Sequence, residues 1–269
     1  MSAAPSRPGT LYLLCWFCGS VLLAFLVIPL VALVTHESGQ DLAEAAGMPD
    51  VRAAIALSLE AALLSAALAA LAGVPLAYGL ARTTFPGKGL LAALIDLPLA
   101  VPHTVAGIAL FLVFGRQGVL GEPLQELVGL KFWGTIAGIV VAMLFVSAPY
   151  TVNAARIGFE AVDPQLEKIA RTLGLGPWRT FVRITLPLAR HSIMTGVTLT
   201  FARSISEFGA VVILVYYPMT APVKIYELFL RFGLEQAAAA AVLLLIISLA
   251  LFLLLRTLAR RGVPAAGSR

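Results

Sequence analysis

A chain of 269 residues that is 60% hydrophobic and only 12% charged, with a mean hydropathy of +0.95, falls outside the composition of water-soluble domains. Its formal charge of +5 would suggest nucleic acid in a soluble protein, but here Lys and Arg have first to be weighed against membrane topology. Several apolar runs reach the roughly 20 residues that cross a hydrocarbon layer of about 30 Å as helix, which points to an all-α integral membrane protein and away from a barrel.

Six spans are predicted. The first, Leu11 to Val34, carries no charge and lacks a small-x-small cleavage site, so it is expected to stay as a membrane helix and not to leave as a signal peptide. Within it Cys15 and Cys18 form a C-x-x-C. A thiolate would be poorly solvated there and a zinc site needs a second ligand pair, so both read as small lipid-facing residues. The second span, Ala53 to Leu80, is rich in Ala, Ser and Gly ("SLEAALLSAALAALAG"), which suits close helix packing. The third, Leu90 to Phe114, is interrupted by Pro98 and Pro102 and carries Asp96 and His103 in "DLPLAVPHTVAGIAL". Proline at membrane depth is tolerated where protein or a water-filled cavity satisfies the freed backbone, so this helix belongs inside a bundle. The fourth covers Gly134 to Ala154, the fifth His191 to Val215 and the sixth Leu234 to Leu255.

Basic residues alternate in density between these spans. With both termini inside, the inner segments hold Arg7, Arg82, Lys88, Arg156, Lys168, Arg171, Arg179, Arg183, Arg190, Arg256, Arg260, Arg261 and Arg269. The outer ones hold Arg116, Lys131, Lys224 and Arg231, and "THESGQDLAEAAGMPD" holds no Lys or Arg. That bias implies an N-in, C-in topology with residues 1–10 and 256–269 as cytoplasmic tails around a permease-sized domain, 11–255.

The segment 156–190 is the longest cytoplasmic loop. Asp163 is placed to cap a helix with Pro164 at its first position; Leu166, Ile169, Ala170 and Leu173 form its periodic face, and Gly174 suits the left-handed residue after its end. Pro177 then starts a second helix with Trp178, Phe181, Val182 and Ile184 on one face, and Leu186-Pro187 is expected to stop it. Amphipathicity alone leaves two uses open, resting on lipid headgroups or docking into a groove of a cytoplasmic partner.

Here the chain resembles the permease subunits of ATP-binding-cassette importers, whose cytoplasmic motif is E-A-A, three residues, Gly, nine residues, then I-x-L-P. Gly174 is followed by nine residues and Ile184-Thr185-Leu186-Pro187; Lys168, Ile169 and Ala170 stand where the family has Glu-Ala-Ala, with Glu167 one residue earlier. "GVPLAYGLARTTFPGKG", "LPLAVPHTVAGIAL" and "FARSISEFGAVVILVYYPMTAPVKIYE" are similar to the molybdate, tungstate and sulfate group, most of all its tungstate/molybdate branch. The resemblance implies a type I importer bundle, with Glu167, Lys168, Ala170, Arg171, Gly174, Trp178, Ile184, Leu186 and Pro187 in the element that meets the ATPase. It also implies a second permease subunit, most simply an identical one, two ATPase subunits that bind ATP and Mg, and an extracytoplasmic oxyanion-binding protein. No cofactor or metal is expected in this chain, and no nucleic acid partner. Tungstate or molybdate is the implied cargo, with sulfate or thiosulfate the alternative, in a prokaryotic cytoplasmic membrane.

Other chemistry is poorly represented. No G-x-x-x-x-G-K-[ST] phosphate loop occurs, so ATP hydrolysis falls to a separate chain. An intramembrane enzyme would want H-E-x-x-H, G-x-S-x-G or a carboxylate dyad; none is present, and Asp96 has no second membrane aspartate. A channel, the third class, would conduct without an ATPase. For a path that replaces the hydration of a tetrahedral dianion, neutral donors are the candidates: His103 and Thr104 on the broken third span, Thr200, Ser204 and Ser206 on the fifth. Each is equally readable as a packing residue bonded to its own helix. Arg203 and Glu207, four apart, share a helix face and read either as a self-neutralising pair or as a cation masked until the helices rearrange.

Overall fold

The computed structural model describes residues 10–261, and all its regular structure there is helical. The expected tail residues 1–9, with Arg7, and 262–269, with Arg269, lie outside the described residues. Four helices are long and apolar enough to cross a membrane: α1 (Thr10–His36), α3 (Pro49–Arg82), α7 (Ile136–Glu160) and α13 (Leu234–Arg261), the last over its first 24 residues. A fifth crossing would be the pair α4 (Lys88–Ala100) and α5 (His103–Phe114), bent by 111° at Val101-Pro102. The predicted third span is thus no straight rod. Pro102 has no N–H to continue the ladder, whereas Pro98 is accommodated inside α4.

The predicted fifth span is also divided. Helix α10 (Leu186–Ile205) ends at Ser206, and a short α11 (Gly209–Leu214) restarts after Phe208. At 20 residues α10 is long enough to cross, but it carries Arg190, His191 and Arg203 and is not apolar enough to rank with the four. The sixth helix runs on through residues 256–261, which were assigned to the tail. Short helices fill the connections: α2 (Gly39–Gly47), α6 (Gly121–Val128) and α12 (Ala221–Phe232).

Small residues explain how the centre closes. On α3, Ala54, Ser58, Ala61, Ala62, Ser65, Ala66, Ala69, Gly73 and Ala77 recur at helical spacing and are all buried, letting α7 and α10 approach. A Cβ on Gly196 of α10 would stand 2.7 Å from the Ala154 Cβ and 3.0 Å from the Thr151 Cα of α7. The main core joins α3, α7 and α10 to α5 and α11 through Met143, Val146, Phe201, Ile205, Val211 and Leu214. A second core, around Phe159, Val162, Ala189 and Ile193, sits under the 156–190 loop. By contrast α1 buries no residue at all.

Candidate functional site

The 156–190 segment folds largely as its punctuation dictates. Helix α8 (Pro164–Thr172) begins with the Asp163 carboxylate accepting the Gln165 amide at 2.8 Å. It ends at Gly174, φ 88°, where the Leu175 amide donates to the Ala170 carbonyl (3.1 Å) and the Gly174 amide to Arg171 (3.0 Å), the paired bonds of a Schellman turn. Pro177 starts α9 (Pro177–Thr180). Leu186-Pro187 does not stop the helix, contrary to expectation. A π turn over Phe181–Thr185, in which the Leu186 amide reaches back to the Phe181 carbonyl, shifts the register so that Pro187, without an N–H, falls in the first turn of α10. The chain therefore runs helically from Pro177 to Ile205.

The periodic face of α8 is divided in the structure. Leu166, Ile169 and Leu173 point outward, while Glu167, only 6% exposed, and Ala170 point in. Glu167 accepts from Arg82 Nε of α3 at 2.9 Å, from Thr185 Oγ1 at 2.8 Å and from Tyr78 Oη at 3.3 Å, and Arg82 Nη2 donates to the Val162 carbonyl at 3.0 Å. Tyr78, Phe159 and Phe181 form a triangle of tilted rings around the Tyr78 end of this network, and Trp178 packs on Phe181, with neighbouring ring centroids 4.7 to 6.0 Å apart. One carboxylate thus ties both short helices to α3. Facing outward are Lys168, Arg171, Arg179, Arg183 and Trp178, together with Leu166, Ile169 and Leu173; Ile184 and Leu186 are half-buried, and Pro187 is exposed. The carboxylate one residue ahead of the Glu-Ala-Ala position is the anchor, and Lys168 at that position faces out.

Of the residues proposed to line a path, the structure gathers four. His103 opens α5, Arg203 lies near the end of α10, and Ser206 and Glu207 occupy the break before α11. Arg203 Nη2 donates to Glu207 Oε2 at 2.8 Å and lies 2.8 and 3.1 Å from the His103 ring nitrogens. Glu207 Oε1 accepts the Ala210 amide at 2.9 Å, satisfying a first-turn N–H of α11. The i,i+4 pairing holds although the helix has already ended at Glu207. Close packing fixes the junction: a Cβ on Gly209 would stand 2.7 Å from the His103 Cβ. Thr104 is exposed next to His103.

Thr200 and Ser204 lie apart from this cluster. Both are fully buried in a ladder of hydroxyls between helices: Ser204 pairs with Ser147 (2.8 Å) and Ser65 (3.1 Å), Thr200 with Thr151 (2.7 Å) and the Ser147 carbonyl (3.0 Å). Their hydroxyls are bonded to α3 and α7. Sequence reasoning missed the partners Arg82, Tyr78 and Thr185, which no spacing rule links to Glu167, and it also missed Asn153, whose amide donates to Asp96 at 2.6 Å. Ser65, Ser147 and Thr151 do carry a local signal, as hydroxyls on otherwise apolar helix faces.

The chain as a whole is similar to known proteins. Residues 69–262 match the family described as binding-protein-dependent transport system inner membrane component. The chain is 43% identical over 257 residues to the molybdate/tungstate transport system permease protein WtpB of Thermococcus kodakarensis, covering 95% of this chain and 98% of that protein. To the molybdenum transport system permease protein ModB of Escherichia coli K12 it is 41% identical over 206 residues, 75% of this chain and 90% of that one. Its fold is similar to a chain in the crystal structure of a bacterial alginate ABC transporter in complex with an alginate pentasaccharide-bound periplasmic protein (TM-score 0.73, 18% identity, covering 93% and 94% of the two chains). An all-helical bundle with several apolar crossings, a helical pair rooted on one of them and a match over most of its length place this chain in the inner membrane component family of binding-protein-dependent transport systems.

Proposed function

We propose that this chain is the membrane-spanning subunit of an ATP-driven importer for a tetrahedral oxyanion, molybdate or tungstate, in a prokaryotic cytoplasmic membrane. It crosses six times with both termini inside: four straight helices, the bent α4/α5 pair and α10 with α11. A second copy completes the path, two ATPase subunits seat on the α8/α9 pairs, and an extracytoplasmic binding protein supplies the oxyanion. The observation that carries the ATPase part is the two-sidedness of the α8/α9 pair. Its inner side is bonded to α3 through Glu167, and its outer side presents Leu166, Ile169, Leu173 and Trp178 among four basic groups, the mixed apolar and basic face that a groove on a protein takes. A pair resting only on lipid would need no buried ionic root. Oxyanion as cargo follows from the names of relatives that match almost end to end.

The chain alone has no phosphate loop and is expected to hydrolyse no ATP. Reconstitution in proteoliposomes with an ATPase partner and a tungstate-loaded binding protein tests the reading: inward tungstate transport must require ATP and both partners. Transport without the ATPase would make the chain a channel. Stimulation by a sulfate-loaded binding protein but not by tungstate or molybdate would reassign the cargo.

A further inference from the structure

The Arg203–Glu207 pair is oriented, and its orientation has consequences. Glu207 is 1% exposed and both its oxygens are engaged, one by Arg203 and one by the Ala210 amide. Arg203 is 22% exposed and the neighbouring His103 46% exposed, with Thr104 and Ser206 also at the surface. The carboxylate is thus turned in and the cation out. Arg203 uses Nη2 for Glu207 and His103 and reaches Ser206 only at 3.4 Å through Nη1, so most of its five N–H groups are left over. Around it the surface is apolar: Val105, Ile108 and Leu112 of α5, Leu199 of α10 and Ile213 of α11 are all exposed. A guanidinium facing outward in such surroundings cannot face hydrocarbon cheaply, and needs water or an anion in front of it.

We infer that Arg203, with His103, Thr104 and Ser206, forms a membrane-embedded contact site for the transported oxyanion, and that Glu207 holds Arg203 in place and weakens its grip. This rests on the importer reading above and adds to it the residues that touch the cargo. The chemistry suits a dianion in transit. Arg203 offers paired N–H donors matched to the oxygens of a tetrahedral anion, His103 and Thr104 add donors of no fixed charge, and Ser206, whose hydroxyl donates to the Arg203 carbonyl at 3.0 Å, accepts from the guanidinium and helps orient it. An unmasked arginine would hold a dianion too tightly for turnover; a carboxylate 2.8 Å away on its inner side lowers the net attraction and keeps the site transient. The break between α10 and α11 supplies the position, because it lets Glu207 turn inward to α11 while Arg203, on the last turn of α10, stays at the surface.

The assembled importer tests this in proteoliposomes, with tungstate uptake and binding-protein-stimulated ATP hydrolysis read side by side. The double variant Arg203→Gln with Glu207→Gln removes the cation without stranding a buried charge. It is expected to retain stimulated ATP hydrolysis while uptake falls on the order of tenfold or more, the loss of one charge-assisted contact. Arg203→Lys, which keeps the charge but not the fork, should transport at an intermediate rate. If the double variant fails to assemble, His103→Gln carries the test. It sits half-exposed and leaves the ion pair whole; uptake reduced severalfold at unchanged hydrolysis upholds the site. Wild-type uptake by either variant overturns it and makes the pair scaffold, with the importer reading intact. Absence of tungstate, molybdate or sulfate uptake by the unmodified complex defeats the importer reading itself, and the site with it.

Discussion

Gly174 offers a test of coupling in which the perturbation can be confined to the backbone. Its φ is 88°, and a Cβ built there has no heavy atom within 4 Å, so a side chain would meet open space and its effect would come from the left-handed conformation alone. Two hydrogen bonds depend on that conformation, Leu175 N–H to Ala170 and Gly174 N–H to Arg171. They set the direction in which Gly176 and Pro177 launch α9. Placing an L-residue in this region costs roughly 1 to 2 kcal/mol for Ala, somewhat less for Asn, and more for a β-branched residue. At about 1.4 kcal/mol per tenfold, Gly174→Val shifts the turn against its native form by about tenfold or more, while Gly174→Asn changes it little. The expected order of transported oxyanion per ATP hydrolysed in proteoliposomes is Gly ≈ Asn > Ala > Val, with insertion and ATPase binding preserved in all four. Val transporting like wild type would show that the turn does not transmit motion. Asn failing as badly as Val would show that the space around Gly174 in the docked complex matters, and not its φ.

Asp163→Ala removes the cap of α8 and its bond to the Gln165 amide; a loss of about 1 kcal/mol in local stability should appear as faster amide exchange in α8 with α3 unaffected. Gly196→Leu forces a side chain into Ala154 and the Thr151 backbone, so the α7–α10 contact should open and the detergent-solubilised protein should unfold well below wild type, while Gly39→Ala, with nothing within 4 Å, should be silent. On α2, the Ser38 hydroxyl donates to Asp41 and holds its carboxyl below 3.8; because the folded value is the depressed one, the cap is complete above 3.8 and is lost as pH falls through the depressed value. Protection of the α2 amides, corrected for intrinsic exchange, should therefore drop in acid, and Asp41→Asn should abolish that pH dependence.

What the sequence made legible was local. Caps, glycine turns and apolar runs act over a few residues, so Asp163-Pro164, Gly174 and the long helices were readable within a few residues of their ends. Breaks inside spans were harder. Pro102 signalled one, but nothing in "SISEFGAVV" separates a helix from the interruption at Ser206 to Phe208, because the Glu207 bond that stabilises the break is made to Arg203 and the Ala210 amide in three dimensions. Leu186-Pro187 misled for a related reason: a π turn can absorb a proline that an α-helix cannot, and sequence does not distinguish the two. Site residues were legible in kind but not in grouping. His103, Arg203 and Glu207 came together as their chemistry suggested, yet Thr200 and Ser204, from the same span and of the same chemistry, found partners on α3 and α7.

Those buried hydroxyls bear on how motion at the ATPase side reaches the cluster. The eighteen residue-to-residue steps from Thr185, which is bonded to Glu167, to Arg203, which is bonded to Glu207, belong to one uninterrupted helical run and at about 1.5 Å each span about 27 Å, nearly the thickness of the hydrocarbon layer. Along and just beyond that length Thr200 and Ser204 bond to Ser147, Thr151 and Ser65, and Gly196 lies against α7, so α3, α7 and α10 are held together as one body. His103 belongs to α5, which packs on α11 through Gly107 and Ala210 and shares the main core with that body. Arg203 therefore sits at a seam, on the last turn of the body that carries the Glu167 root, against a ring carried by its neighbour. On the importer reading proposed above, a contact that must hold an anion in one arrangement and release it in another has its place at such a seam, and the break between α10 and α11 lets Glu207 bond at once to Arg203 and to the Ala210 amide.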